Sequence, residues 1–214
     1  MKNKIILLAC IFLSTIAVAQ KKEKNKESDK DYVITMHTAY GDMVILLYDQ
    51  TPLHKANFIK LVNEKFYDST TFHRVIQGFM IQGGDMNSKD NNPSNDGMGN
   101  VGYTIPAEMI AEIKHKKGAL AAARTGDQVN PQRESNGSQF YIVCEDNGAN
   151  HLDGQYSVYG QVVDGLDVIG KIEAQLTDNR NRPLDNIYMT VTMEEWKKEK
   201  IIKKYNAKSF YTTK

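Results

Sequence analysis

Apolar and polar residues alternate along much of the chain in short runs that turn residues separate, a pattern typical of β-strands. Residues 32–38 and 42–48 flank the turn Ala39-Tyr40-Gly41 and predict a β-hairpin. Further runs of strand character lie at residues 71–76, 79–82, 119–123, 140–143, 157–163 and 187–193. The polar stretches 86–100 and 126–136 show no periodicity and predict loops.

A spacing of three and four residues between apolar positions predicts helices. Thr51 as N-cap and Pro52 at the first position begin one helix. Its inward residues are predicted to be Ala56, Ile59, Val62 and Phe66. A second helix is predicted at 166–174, with Leu166, Ile169 and Ile172 inward, and a terminal helix at 194–205, docked through Trp196, Ile202 and Tyr205.

The order of these elements indicates the fold class. Strands predominate, and the two internal helices do not alternate regularly with them, which argues against a parallel βαβ sheet. The pattern therefore favours a mainly β fold, an antiparallel barrel or sandwich closed by helices, with a helix at the C-terminus.

The first residues have a different pattern. Lys2 and Lys4 precede an apolar run at 5–18, and Ala17-Val18-Ala19 is a small-x-small cleavage sequence. We interpret residues 1–19 as a signal peptide, residues 20–31 as a disordered charged tether, 32–193 as the folded domain and 194–214 as a helical tail. Because the apolar run is short for a bilayer span, no permanent membrane anchor is expected. The protein is predicted to be exported, to the periplasm first, with secretion or lipid anchoring through Cys10 as alternatives.

Composition narrows the function classes little. The formal net charge is +1, and hydrophobic residues make up 41% of the chain. No nucleic-acid partner is predicted from such a balance. Residues 97–102 match the letters G-x-G-x-x-G but lack the preceding strand and following helix that a dinucleotide site needs. No two of the histidines stand at metal-ligand spacing, so no metal site is predicted.

The chemically informative segment is residues 72–85, FHRVIQGFMIQGGD. Strand alternation places Phe72, Arg74 and Ile76 on one face, and an arginine among apolar neighbours is unusual. On residue type alone, a structural ion pair at a barrel rim is the favoured interpretation of Arg74.

Three other segments change that interpretation: GALAAARTG at 118–126, NGSQFYIV at 136–143 and HLDGQYSVYG at 151–160. Together with 72–85 they resemble the cyclophilin family of peptidyl-prolyl cis/trans isomerases, from about residue 32 to residue 193. The resemblance implies a closed eight-stranded antiparallel barrel capped by two α-helices, with a site on the outer surface. Differences from the eukaryotic cytosolic branch suggest a bacterial exported subgroup.

The resemblance also implies roles for individual residues. Arg74 matches the catalytic arginine, and Gln82 and Gln139 match amides that hold the substrate backbone and position that arginine. The remaining substrate-binding positions are Phe79, Met80, Ala123, Tyr141, His151, Leu152 and Tyr156. His151 stands where the family usually has tryptophan, so cyclosporin binding is expected to be weak. Tyr141 replaces a common phenylalanine, Tyr156 a histidine and Arg124 an asparagine.

The chemistry of these residues suits rotation about an X-Pro bond, whose barrier is about 20 kcal/mol. Arg74 would donate to the prolyl nitrogen as it pyramidalises, while an apolar pocket grips the ring. No cofactor is needed. The expected partners are proline-containing polypeptides, and the protein is expected to be a monomer. Two alternatives stay open: a proline-peptide binding or chaperone module with little turnover, and a structural envelope protein that docks through the basic tail.

Overall fold

The computed structural model describes residues 28–90 and 92–211. The signal peptide expected at 1–19 and the tether as far as residue 27 lie outside the described residues. Within the described ranges, none of the helices combines the length and the apolarity needed to cross a bilayer.

Strands dominate the described part of the chain. They are β1 (Lys30–Thr38), β2 (Gly41–Leu47), β3 (Arg74–Ile76), β4 (Met80–Gly83), β5 (Thr104–Ile105), β6 (Ala119–Ala122), β7 (Ser135–Asn136), β8 (Phe140–Val143), β9 (Val158–Asp164) and β10 (Met189–Lys197). Within residues 28–90 and 92–211, eight of them form an antiparallel sheet in the order β10-β1-β2-β9-β6-β8-β4-β3, and β5 pairs with β7 in a separate ribbon. The mainly β prediction is confirmed.

The two outer strands of this sheet are joined through the residues that flank them. The amide of Phe72 donates to the carbonyl of Ile187 at 3.0 Å, and the amide of Met189 donates to the carbonyl of Thr70 at 2.9 Å. These bonds satisfy backbone groups that an open edge would leave unpaired. The sheet therefore closes into a barrel, as the resemblance implied.

Three α-helices accompany the barrel in the described residues: α1 (Pro52–Asn63), α2 (Leu166–Glu173) and α3 (Lys198–Tyr205). The first two contribute buried side chains to the same apolar cluster as the inward residues of the strands. Its members include Phe58, Leu61, Ile169, Ile172, Ile34, Ile45 and Ile142. Removal of these side chains from water is the main stabilising contribution to such a core. The two helices thus cover the interior of the barrel.

The predicted inner face of α1 is confirmed at Val62 and, as a partly buried residue against the core, at Ile59, but it is wrong at Ala56. The buried residues are His54, Phe58, Leu61 and Val62, whereas Ala56 is exposed and Phe66 lies beyond the end of the helix. His54 can be buried because Glu108 accepts from its Nδ1 at 2.6 Å and Ser135 lies 2.9 Å from its Nε2. A histidine with both ring nitrogens partnered escapes the usual penalty of burial. Counting apolar residues alone therefore missed the part of the face that His54 occupies.

Strands β1 and β10 extend further than predicted, because they pair with each other along their whole length. Lys30 stands opposite Lys197, so the sheet begins two residues before Tyr32 and continues past Met193. Asp31 is buried and forms an ion pair with Lys55 at 2.6 Å. The last residues assigned to the tether, and the first four assigned to the helical tail, are part of the barrel sheet.

The tail folds back on the outside of the barrel. Ile201, Ala207 and Phe210 are buried there, and the ring of Phe210 stacks on Tyr48 with centroids 4.4 Å apart. Of the two adjacent isoleucines, Ile201 is buried and Ile202 only partly so, which corrects the prediction that Ile202 docks the helix. Leu166 was likewise predicted to face inward on α2, but it is 40% exposed at the helix start.

Candidate active site

Three adjacent strands bring one set of side chains to the outer surface of the barrel. In the antiparallel register, Arg74 of β3 stands opposite Gln82 of β4, which in turn stands opposite Tyr141 of β8. Their neighbours Val75, Ile81 and Ile142 belong to the interior cluster. Because side chains alternate along a strand, Arg74, Gln82 and Tyr141 face outward together.

An outward-facing cavity of about 190 Å³, here called the outer cavity, lies over these strands. Apolar and aromatic side chains form most of its wall, and Arg74 and Gln82 provide polar groups. It is lined by Arg74, Phe79, Met80, Gln82, Ala123, Arg124, Tyr141, Leu152 and Tyr156. A small apolar hollow with a few convergent polar groups is the usual form of a ligand site.

Hydrogen bonds orient Arg74. Its Nη1 donates to Oε1 of Gln82 at 3.1 Å, and Nε2 of Gln82 donates to Oε1 of Gln139 at 3.0 Å. Nε2 of Gln139 then donates to the carbonyls of Gly97 and Gly99, at 3.1 Å and 2.7 Å. This assignment of the two amides satisfies every bond in the series. The guanidinium is thereby tied through two side chains to the loop around residue 98.

Tyr141 is also held from behind. Its hydroxyl lies 3.0 Å from Nε2 of His115, and Nδ1 of His115 lies 2.9 Å from Oδ1 of Asp153. Burial lowers the pKa of His115, although Asp153 acts in the opposite direction. A neutral His115 that donates from Nδ1 to the carboxylate accepts from the tyrosine at Nε2. Burial also raises the pKa of Tyr141, which keeps the hydroxyl protonated.

Arg124 was noted in the sequence as a departure but was not counted among the site residues. The structure places its guanidinium 4.4 Å from the ring centroid of Tyr156, a cation–π contact at the cavity wall. Its Nε donates to the carbonyl of Gln155 at 3.0 Å, and its Nη1 donates to Asp127 at 2.6 Å. The signal in the sequence was a charged residue directly after the small-residue run 119–123.

Of the ten site residues expected from the sequence, eight line the outer cavity directly. Gln139 is 5% exposed and reaches the site through Gln82. His151 lies outside the lining, with its ring centroid 5.6 Å from that of Phe79. Sequence reasoning missed His115 and Asp153 as supports of Tyr141, because nothing in their spacing shows that they meet behind the cavity. No group of three or more potential metal ligands gathers anywhere in the described ranges.

Comparison with known proteins agrees with this geometry. Residues 33–194 match the family model of the cyclophilin type peptidyl-prolyl cis-trans isomerases. The chain belongs to the cyclophilin family. The match spans most of the chain and most of the barrel. The protein is therefore an enzyme of the peptidyl-prolyl isomerase class.

Individual cyclophilins support the assignment. The chain is 36% identical over 162 residues to peptidyl-prolyl cis-trans isomerase cypE of Dictyostelium discoideum, covering 73% of this chain and 94% of that protein. It is 35% identical over 154 residues to a peptidyl-prolyl cis-trans isomerase of Helicobacter pylori, covering 70% and 85%. Some cyclophilins are much longer: isomerase-like 2 of Rhizopus delemar is 38% identical over 151 residues, but the match spans only 26% of its length.

Among solved structures, a cyclophilin type isomerase of Cryptosporidium parvum superposes with a TM-score of 0.66 at 29% identity. The match covers 77% of this chain and 98% of that one. The same protein in the presence of the dipeptide Ala-Pro superposes with a TM-score of 0.65. The cyclophilin fold of this chain therefore rests on both sequence and structure.

Proposed function

We propose that the chain accelerates rotation about X-Pro peptide bonds by stabilising the twisted amide through Arg74. The observation that supports this proposal is the position of Arg74 on the wall of the outer cavity. Its Nη1 is oriented there by the bond to Oε1 of Gln82 at 3.1 Å. Within the described ranges, no carboxylate lies at ion-pair distance from Arg74, and Gln82 accepts from one of its donors. A guanidinium has five donors, so the others are free for a ligand.

The reaction requires no covalent bond to break. A planar X-Pro amide resists rotation by about 20 kcal/mol, and the barrier falls when resonance is lost and the prolyl nitrogen gains a lone pair. Arg74 would donate to that nitrogen in the twisted state and much less in either planar state. An interaction made only in the transition state raises the rate rather than the affinity.

The outer cavity supplies the second part of the mechanism. Phe79, Met80 and Leu152 offer apolar surface to a pyrrolidine ring, and Tyr141 adds an aromatic wall whose hydroxyl is already bonded to His115. When the pyrrolidine ring is held in place, the acyl group before the proline can rotate relative to it. An acceleration of about 10⁶ corresponds to about 8 kcal/mol, which a charged donor and an oriented pocket can share.

The test is an isomerisation assay without a coupling protease, on a short X-Pro peptide, with the parent protein and Arg74→Ala. The proposal predicts a large loss of kcat/KM in the variant, with the fold intact by circular dichroism. Lys171→Ala, which removes a cation from an exposed pair on α2 away from the outer cavity, is the control and retains activity. A folded parent without acceleration would overturn the proposal and favour the proline-binding module.

We also propose that the enzyme acts on exported proteins. The support is the sequence of residues 1–19, which has a basic start, an apolar run and a small-x-small end. The test is expression of the full chain in a Gram-negative host, followed by fractionation and mass spectrometry. A periplasmic product beginning at Gln20 is expected. An uncleaved product in the cytoplasm would contradict the proposal.

A further inference from the structure

A second cavity, of about 350 Å³, adjoins the outer cavity and carries an unusual concentration of positive charge. Its lining includes His73, Arg74, Asp96, Arg124, Arg180 and Arg182, and we call it the arginine cavity. Arg74, Gln82 and Arg124 line both cavities. A peptide held in the outer cavity therefore has its neighbouring residues within reach of the second one, since an extended chain advances only about 3.3 Å per residue.

The loop that carries Arg180 and Arg182 is fixed against the catalytic strand. The carbonyl of Asn181 accepts from the amide of Val75, the residue after Arg74, at 2.7 Å. One carboxylate oxygen of Asp178 accepts from the amides of Arg180 and Arg182, at 2.8 Å and 2.9 Å. These bonds hold the two arginines beside Arg74 before any ligand arrives. Preorganised groups of this kind bind without a large ordering cost.

The charges around the cavity are only partly balanced by other groups. The donors of Arg182 are used in bonds within the protein, since its Nε donates to Asp96 at 2.6 Å and its Nη2 to Asn186 at 2.6 Å. Arg180 is different: Asp178 lies 3.5 Å from its Nε, its Nη2 donates to the carbonyl of Pro93 at 3.3 Å, and its side chain is 56% exposed. Arg74 has no ion-pair partner among the described residues. Arg74 and Arg180 thus retain donors for an anion.

His73 lines the arginine cavity as a buried side chain. Its side chain is 5% exposed, and neither ring nitrogen has a hydrogen-bond partner among the described residues. The ring lies on the cavity wall, with Nε2 close to Gly97. Because both ring nitrogens are inaccessible from the cavity, His73 shapes its wall, and the donors that face an anion are those of Arg74 and Arg180.

We propose that the arginine cavity binds a carboxylate side chain of the substrate, so that the enzyme prefers prolines with Asp or Glu within two residues. The inference rests on the proposed isomerase function and names its substrate class. Arg180 is the specificity-determining residue, and Arg74 attracts the same carboxylate while it serves the reaction.

The experiment uses pairs of peptides that differ only in carrying Glu or Gln at one position. That position is varied from two residues before the proline to two residues after it. Both kcat/KM and the dissociation constant are measured for the parent, for Arg180→Gln and for Lys171→Gln. Lys171 lies on α2 in an exposed pair with Asp167 and makes the same charge change away from the cavity. At one position at least, the parent should favour Glu over Gln by about three- to tenfold.

That ratio should fall towards one in Arg180→Gln, stay unchanged in Lys171→Gln, and shrink as the salt concentration rises from about 0.05 M to about 0.5 M. Equal values for Glu and Gln at every position, or a ratio that survives Arg180→Gln, would overturn the proposal. Rates on the Gln peptides report the isomerase itself. If they show no acceleration, the proposed function fails, while the dissociation constants still decide whether the cavity selects carboxylates.

Discussion

The hydroxyl of Tyr141 lies 3.0 Å from Nε2 of His115, so a wall of the outer cavity is tied to a buried histidine. A bond donated by the tyrosine hydroxyl to Nε2 requires a neutral imidazole, which agrees with the lowered pKa that burial gives to His115. Protonation would turn Nε2 into a donor and remove the acceptor of the tyrosine hydroxyl. The cavity wall and the titration of His115 are therefore linked.

This linkage predicts a pH dependence of stability. In the unfolded chain His115 titrates near 6.5, whereas its pKa in the folded protein is lower. Between these two values the unfolded state binds more protons, so the free energy of unfolding decreases as pH falls below about 6.5. It is measured by denaturant unfolding at several pH values between about 7.5 and 5.

The contribution of His115 is isolated with His115→Gln, since the pKa of His73 is also lowered, mainly by burial. The variant should be less stable than the parent at pH 7.5, and the difference should narrow as the pH falls. The pKa of Asp153 is lowered from 3.8 because bonds from His115 outweigh its burial, and that carboxylate titrates below this window. A difference independent of pH would contradict the assignment.

Gln82 predicts a different effect, on rate rather than on stability. It connects Arg74 to Gln139, and Gln139 is tied to the loop at Gly97 and Gly99. Replacement by Leu, of similar size, removes both bonds of this positioning residue and leaves the guanidinium less well aimed. Steady-state kinetics should show kcat reduced by about tenfold or more, with a smaller change in KM. A change confined to KM would show that Gln82 only binds substrate.

His151 predicts the response to cyclosporin. The imidazole is exposed and contacts Phe79, with ring centroids 5.6 Å apart, so it offers little apolar surface at the cavity edge. We expect weak binding by the parent and distinctly tighter binding by His151→Trp, because an indole adds aromatic area and an N–H donor. Isothermal titration calorimetry measures both. Equal affinity of the two proteins would show that position 151 does not control this ligand.

Ile201 predicts how strongly the tail supports the barrel. Its side chain is fully buried between α3 and the outer face of the sheet, whereas Ile202 is only partly covered. Ile201→Ala should lower the free energy of unfolding by about 2–5 kcal/mol. Ile202→Ala is the matched control and should cost much less. Similar losses in the two variants would contradict the observed docking of α3.

Much of the architecture was accessible from the sequence because alternation and turn residues are local signals. The run 140–143 coincides with β8, and the helix predicted at 166–174 differs from α2 by one residue at its end. The errors arise where contacts with residues far away in the sequence determine which side chains are buried or where a strand ends. Glu108 and Ser135 let a histidine occupy the inner face of α1, and β1 carries β10 onward to Lys197.

The same distinction applies to the candidate site. The sequence segments that resemble cyclophilins contain all ten expected residues, and eight of them line the outer cavity. The register of β3, β4 and β8 aligns Arg74, Gln82 and Tyr141 there. His115 and the loop carrying Arg180 enter only through contacts between segments far apart in the chain. A single sequence carries no record of such contacts.

The most direct test of the central proposal compares binding and rotation of the same peptide in the parent and in Arg74→Ala. NMR exchange measurements on a bound X-Pro peptide give the cis/trans rate on the enzyme, and a titration gives the dissociation constant. If Arg74 acts in the twisted state, the rate on the enzyme should fall by about 100-fold or more while the dissociation constant changes by less than about tenfold. An unchanged rate on the enzyme, or a loss of affinity as large as the loss of rate, would contradict the proposal.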